Sequence, residues 1–295
     1  MQFPYVTCDV FTNQAFGGNQ LAVVYDADGL NSAQMQRIAA EFNYSETTFV
    51  LKPKDPAHTA EVRIFTPAEE LPFAGHPNVG TAVALARRLG LTDVKTFEFE
   101  EKAGLVPVEV TSGSDGLNAA KLTAPLTPKL GQVVETSSIE KLLGLADGSI
   151  LTERHAPVVV DVGAHFLMIE VDSLTHLGEA RSPSLQEARK LGDFEFYLYT
   201  RDAPETDFRA RMFAPGLGIV EDPATGGAAT ALAGVLSELE PGDCHSSWTL
   251  DQGVEMGRPS RLHIELIKTE GEISKITVGG EAIMMMEGIL TCPSN

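Results

Sequence analysis

The sequence predicts an α+β protein of two similar, pseudo-symmetric domains, each a curved and mostly antiparallel sheet around one central helix. The first reason is an internal repeat: Phe-x-Pro, a loop and then [His/Asp]-Pro-x-x-Gly-x-Ala occur at 65–82 and again at 213–228, about half of the 295 residues apart. The second reason is that strand patterns outnumber helix patterns and mostly follow one another as hairpins. We therefore expect domains at 1–125 and 126–295, with room for the last strand to return to the first domain.

The first half contains seven strand patterns and two helix patterns. Two strands at 3–11 and 20–25 are joined by a turn-rich segment, which predicts an antiparallel hairpin. Asn31 is expected to cap a helix that ends near Phe42. Further strands are expected at 47–51, 60–66, 95–101, 105–111 and 118–124, with the helix of the first repeat between 60–66 and 95–101. Pro125 and Pro128 then indicate a linker between the domains.

The second half follows the same order. Its second copy of the repeat leads into a long, alanine-rich helix. Helices are expected near 137–145 and from Ser184 to about 191, and strands near 157–162, 166–171, 194–200, 208–213, 248–252, 261–266, 275–278 and 282–290.

Each copy of the repeat is expected to deliver one polar residue, His76 or Asp222, to the start of a helix. The proline after each is favoured at the first helical position, and aspartate is a strong N-cap. Glycines such as Gly226 and Gly227 let a ligand approach the free N–H groups, which form an anion site together with the helix dipole. If the halves face each other, the two helix starts predict a site between domains for a carboxylate and for proton transfer.

The composition limits which partners the protein can bind and in which compartment it is expected. A net charge of −19, from 22 basic and 41 acidic residues, argues against nucleic acid and against anionic membrane surfaces. The three cysteines, Cys8, Cys244 and Cys292, lack CxxC spacing and indicate a reduced compartment. The N-terminal segment lacks the pattern of a signal peptide, and no apolar run is long enough for a membrane helix, so we expect a cytoplasmic protein.

No sequence motif indicates a metal or a nucleotide cofactor. HExxH, GxSxG and the phosphate-binding loop are missing from the sequence, and no GxGxxG follows a strand. We expect no cofactor and no metal. Considered singly, each of the three polar residues has a purely structural explanation. Asp222 can be a helix N-cap, His76 a capping or loop residue, and Glu46 a solvated residue before a strand. The repeat favours a functional role for the first two.

Four segments together resemble the phenazine-biosynthesis isomerase (PhzF-like) family: NYSETTFV at 43–50, RIFTPAEELPFAGHP at 63–77, RMFAPGLGIVEDPATGG at 211–227 and QGVEMGRPS at 252–260. The resemblance covers essentially the whole chain and implies a diaminopimelate epimerase-like fold and a homodimer. It also implies acid/base roles for Glu46, His76 and Asp222. The same resemblance implies that Ser45 and the backbone of Gly75, Gly226 and Gly227 bind the substrate.

One position departs from the phenazine-pathway pattern, because Gly227 stands where those members carry serine. The cysteines lie outside both copies of the repeat, which disfavours a two-thiol racemase. We therefore expect a cofactor-independent isomerase that moves a proton on a small carboxylate-bearing substrate. The alternatives are a racemase or epimerase of amino or hydroxy acids, and a non-catalytic member that binds a small molecule.

Overall fold

The structure is a computed structural model that describes residues 1–293, apart from the side chain of residue 117. The chain forms two compact units: Met1–Thr123 together with the chain from Gly279, and Ala124–Val278. The strands are β1 (Gln2–Val10), β2 (Asn19–Val24), β3 (Glu46–Leu51), β4 (Ala60–Phe65), β5 (Glu70–Leu71), β6 (Lys95–Glu101), β7 (Gly104–Gly113), β8 (Gly116–Thr123), β9 (Lys129–Val133), β10 (Val158–Asp161), β11 (His165–Glu170), β12 (Glu195–Thr200), β13 (Phe208–Ala214), β14 (Ile219–Asp222), β15 (Cys244–Gln252), β16 (Ser260–Thr269) and β17 (Glu272–Thr291). The helices are α1 (Ser32–Phe42), α2 (Gly75–Arg88), α3 (Thr136–Leu143), α4 (Leu174–Glu179), α5 (Leu185–Leu191) and α6 (Gly226–Leu239).

In the first unit, a ring of paired strands surrounds α2. β1 pairs antiparallel with both β2 and β17, and β2–β3 and β4–β6 are parallel pairs. The antiparallel pairs β3–β4, β6–β7 and β7–β8 and the pairing of β8 with β17 complete the ring. Every residue of α2 from His76 to Ala86 is buried, as expected for a helix that is covered on all sides.

In the second unit, the sheet lies between α6 and a layer of smaller helices. The strand pairs β9–β10, β10–β11, β12–β13 and β15–β16 are antiparallel, whereas β11–β12 and β13–β15 are parallel. Helix α6 contacts β9, β10, β11 and β16 and is buried from Ala228 to Ser237. The other face of β11 and β12 packs Leu167, Ile169 and Phe196 against apolar residues of α3, α4 and α5.

The mixed α+β class and the hairpin of β1 and β2 are confirmed. One expectation about elements is wrong, because the two strands expected at 275–278 and 282–290 are one continuous strand, β17. The segment with Pro125 and Pro128 connects β8 to β9, which begins directly after Pro128. Helix α4 was not expected, because six residues are too short to show a helical period; it begins where the Ser173 side chain caps the His176 N–H. Among the described residues, no helix combines the length and apolar character that crossing a membrane requires.

Candidate active site

In the first unit, the structure brings together two of the predicted catalytic residues. Glu46 is the first residue of β3, and His76 is the second residue of α2. The Nε2 atom of His76 lies 3.3 Å from the Oε2 atom of Glu46, and these side chains are only 7% and 15% exposed. A carboxyl group and an imidazole at this distance can exchange a proton.

Burial keeps His76 neutral. It lowers the pKa of the imidazole to about 3, although a hydrogen bond with the backbone of Gln20 acts in the opposite direction. Since Nε2 is the nitrogen that faces Glu46, the Gln20 bond engages the other ring nitrogen, Nδ1, as the N–H donor. Nε2 is therefore the ring nitrogen without a proton, and it lies beside the Glu46 carboxyl in a contact that lacks hydrogen-bond geometry.

Ser45 and Gly75, the predicted substrate-binding residues of this unit, flank the pair. The Ser45 hydroxyl donates to Oδ1 of Asn19, a buried residue of β2, at 3.0 Å. Because its only proton is used in this bond, the Ser45 hydroxyl can take part in further hydrogen bonds only as an acceptor. Gly75 is the first, half-buried residue of α2, where backbone N–H groups have no partner within the helix. Substrate binding by both residues stays a prediction.

A second acid near the start of α2 was missed in the sequence. Glu101 ends β6 on the face that Phe97 and Phe99 bury, and its two carboxyl oxygens are inaccessible to solvent. Burial raises the pKa of Glu101 to about 8, while its neighbour Asn78, in the first turn of α2, acts in the opposite direction. The alternation Phe97, Phe99, Glu101 was the available signal, because it places an acid on a core-facing position.

In the second unit, Asp222 is 8% exposed and ends β14, where it pairs with Met212 of β13. Its Oδ2 atom accepts a hydrogen bond from the Thr225 hydroxyl at 2.5 Å. The Gln252 amide nitrogen donates to the carbonyl of Asp222 (2.8 Å) and to the hydroxyl of Thr225 (3.0 Å). Gln252, which is fully buried, receives a hydrogen bond from the Tyr197 hydroxyl at 3.3 Å. The Asp222 carboxyl is therefore held by a buried polar network that sequence analysis did not include.

The predicted helix starts are wrong by two residues in α2 and three in α6. Helix α2 begins at Gly75, so His76 lies inside its first turn rather than before it. Helix α6 begins at Gly226 with Thr225 as N-cap, so Asp222 does not occupy the N-cap position. In the second case the ladder pairing of Asp222 with Met212 and the extended backbone of Thr225 delay the helix.

The first turn of α6 contains the remaining predicted binding residues, Gly226 and Gly227, and both are half-buried. The first helical hydrogen bond runs from the Ala229 N–H to the Thr225 carbonyl at 3.0 Å, so earlier N–H groups lack a helical partner. A Cβ atom on Gly227 would lie 3.3 Å from the ring of Phe166. Gly227 thus packs against an aromatic ring, which the expectation of an open anion site did not include. Its binding role, like that of Gly226, stays a prediction.

Within residues 1–293, no group of three or more His, Cys, Asp or Glu side chains is arranged to hold a metal ion. Cofactor independence remains a prediction.

Comparisons with known proteins identify the family of the chain. The family described as phenazine biosynthesis-like protein (PhzC-PhzF) matches residues 8–288. An uncharacterized isomerase of Mesorhizobium japonicum is 40% identical, over 97% of this chain and 98% of that protein. A trans-2,3-dihydro-3-hydroxyanthranilate isomerase of Pseudomonas chlororaphis is 34% identical, over 97% and 98%.

The fold comparison gives the same result. A crystal structure of a PhzF-family phenazine biosynthesis protein of Bacillus anthracis superimposes with a TM-score of 0.89 at 24% identity, covering 99% of this chain and all of that one. The matched sequence family, the identity to curated isomerases and the shared fold lead to one conclusion: the chain is an isomerase of the phenazine biosynthesis-like PhzF family.

Proposed function

We propose that the protein catalyses a cofactor-independent isomerisation in which a proton moves between two positions of a small carboxylate-bearing substrate. The observation that carries the proposal is the buried Glu46–His76 pair, with 3.3 Å between Oε2 and Nε2. A carboxyl group inside the fold, next to an imidazole that burial keeps neutral, is suited to take a proton and return it.

In this mechanism, Glu46 removes a proton from one carbon of the substrate, and the electron pair of the broken C–H bond moves into the adjacent unsaturated system. Glu46 then returns the proton to another carbon, so that double bonds are rearranged without net oxidation. His76 receives or gives a hydrogen bond at Nε2 as Glu46 changes its protonation state. Asp222, held by Thr225 and Gln252, serves as the second polar group for the substrate.

The substrate carboxylate would bind to backbone N–H groups of Gly75, Gly226 and Gly227 at the starts of α2 and α6, with Ser45 close to the acid/base pair. Helix N-termini favour anions because their N–H groups are unpaired and the dipole is positive there. That the two helix starts serve one substrate is part of the proposal.

The test uses trans-2,3-dihydro-3-hydroxyanthranilate, the compound named for the Pseudomonas relative, in D₂O with detection by proton NMR. We expect an isomer to form, and the share of deuterium at the receiving carbon measures how often the proton on Glu46 exchanges with solvent before it is returned. Glu46→Gln should fold normally and lose turnover by about 10²-fold or more, since it keeps the shape but cannot carry the proton. Glu61→Gln is the matched control, because Glu61 pairs with Leu51 at the far end of β3.

Two outcomes would contradict the proposal. Wild-type turnover in a folded Glu46→Gln variant would exclude Glu46 as the acid/base group. Failure of the wild type to convert this compound or any member of a panel of unsaturated, amino and hydroxy acids would exclude the reaction class.

A further inference from the structure

The internal repeat begins two residues earlier than its Phe-x-Pro signature, at an arginine that contacts a glutamate and a phenylalanine in each unit. Arg63 lies on β4 and Arg211 on β13, each two residues before the phenylalanine. In both places the chain passes through Phe-x-Pro and returns as a short strand, β5 or β14, that pairs with the strand it has just left.

In the first unit, the arginine binds the returning strand with both arms of its guanidinium. Nε of Arg63 donates to Oε1 of Glu70 at 2.7 Å, and Nη2 donates to Oε2 at 2.8 Å. The guanidinium also lies over the ring of Phe65, 5.2 Å from its centre. Two parallel charge-assisted bonds fix the orientation of both groups, which a single ion pair does not.

The second unit repeats this arrangement around Arg211. Nε donates to Oε1 of Glu221 at 2.9 Å, Nη2 donates to Oε2 at 2.8 Å, and the guanidinium lies 4.8 Å from the ring centre of Phe213. The third nitrogen, Nη1, donates to the carbonyls of Leu177, Gly178 and Ala180 at 3.0, 3.1 and 2.7 Å. Arg211 thereby ties the returning strand to the end of α4.

Each arginine–glutamate pair is connected to a residue of the candidate site. Glu221 directly precedes Asp222, so any rotation of β14 would move the Asp222 carboxyl. In the first unit, Glu70 also accepts from Nζ of Lys102 at 2.7 Å. Lys102 follows Glu101, whose carboxyl neighbours Asn78 in the helical turn that contains His76.

We propose that the Arg63–Glu70 and Arg211–Glu221 pairs are matched positioning devices, which fix the two strand-to-helix segments that carry His76 and Asp222. This inference rests on the proposed function, because it assigns the pairs to catalysis and not only to folding. Neither arginine touches the reacting atoms. Lysine in either place would keep the charge but could not form the two-armed contact or stack its head group on the phenylalanine.

The experiment compares Arg63→Lys and Arg211→Lys with Arg261→Lys. Arg261 is a matched control outside the repeat: its Nε and Nη2 atoms bind both oxygens of Asp251 at 2.8 and 2.9 Å. We measure kcat and KM on trans-2,3-dihydro-3-hydroxyanthranilate, urea unfolding, and the ¹⁵N signals of the His76 imidazole.

In folded Arg63→Lys and Arg211→Lys proteins, kcat should fall about 10-fold or more with KM nearly unchanged, because small displacements of catalytic groups are costly. Arg261→Lys should stay within about twofold of the wild type.

Wild-type kcat in both folded lysine variants would overturn the inference, as would equal losses in the Arg261→Lys control. Should a lysine variant fail to fold, Glu70→Gln and Glu221→Gln repeat the test, because they keep the shape and weaken the two-armed bond. If the wild type turns over no acid, the proposed function fails by itself. The inference is then decided by NMR: the His76 signals must shift in Arg63→Lys and stay in place in Arg261→Lys, and unshifted signals in both would overturn it.

Discussion

At the scale of single residues, the chemistry depends on which member of the Glu46–His76 pair holds the proton. Burial keeps the imidazole of His76 unprotonated at neutral pH, because its charged form would have to lose its hydration. In the proposed mechanism, the proton is therefore exchanged between Glu46 and the substrate, and His76 responds with a hydrogen bond. The same burial costs stability in acid: an unfolded histidine binds a proton below its usual pKa of 6.5, and the folded one does so only near 3.

Glu101 gives a pH dependence of the opposite sign. Its folded pKa of about 8 lies above the ordinary 4.5, so between these values the folded protein keeps a proton that the unfolded chain releases. The contribution of Glu101 to the free energy of unfolding should therefore fall as pH rises from about 5 to 8. Glu101→Gln removes this loss, and its stability relative to the wild type should increase with pH, by at most about 1.4 kcal/mol per pH unit.

The measurement is urea unfolding at pH 5, 6, 7 and 8. Glu98→Gln, on the opposite face of β6, is the control and should run parallel to the wild type. Parallel profiles for Glu101→Gln as well would show that Glu101 is ionised in the folded protein.

At the scale of elements, the start of α6 combines an exposed backbone with a packed aromatic ring. Glycine lowers helix stability in the first turn by roughly 1 kcal/mol relative to alanine, yet Phe166 leaves little room for a Cβ atom at Gly227. These two effects oppose each other, and the size of the side chain decides which one is larger.

Gly227→Ser should be tolerated, with unfolding free energy within about 1 kcal/mol of the wild type, because the ring needs to move by only a few tenths of an ångström. Gly227→Val adds a branched side chain against the same ring and should lose more than about 1 kcal/mol. Urea unfolding measures both. Phe166→Leu in the Gly227→Val background should recover part of the loss, and a loss unaffected by Phe166 would refute the packing argument.

Elements with strong local patterns could be predicted from the sequence, whereas features set by pairing between distant segments could not. The capping of α1 by Asn31 and the β1–β2 hairpin follow from local signals. The late start of α6 depends on the Asp222–Met212 ladder pair and on Gln252, which lies 30 residues downstream. His76 was named from the repeat and Glu46 from a resemblance, but their contact arises only because β3 and α2 meet inside the first unit.

At the scale of the whole molecule, the PhzF-family resemblance predicts a homodimer. Light scattering at micromolar concentration should give twice the chain mass of 31.6 kDa. Each chain carries a net charge of −19, so association should strengthen as salt screens the repulsion between copies. A single-chain mass at every concentration and at high salt would contradict this prediction.

Catalysis should also be independent of added metal. After EDTA treatment and exhaustive dialysis, we expect unchanged turnover, because the proposed chemistry uses only side chains and backbone N–H groups. Elemental analysis is the companion measurement. A stoichiometric metal whose removal abolishes turnover would show that the mechanism requires another group.

Strand β17 has a consequence for how the protein is made. The ribosome produces β1 first, but one partner of β1 is β17, with Gln2 opposite Thr291. The second unit has all of its residues once Val278 has been added, while the ring of the first unit still lacks a strand. The N-terminal unit, which holds Glu46 and His76, is therefore the last to be completed during synthesis, in reverse of the usual N-to-C order.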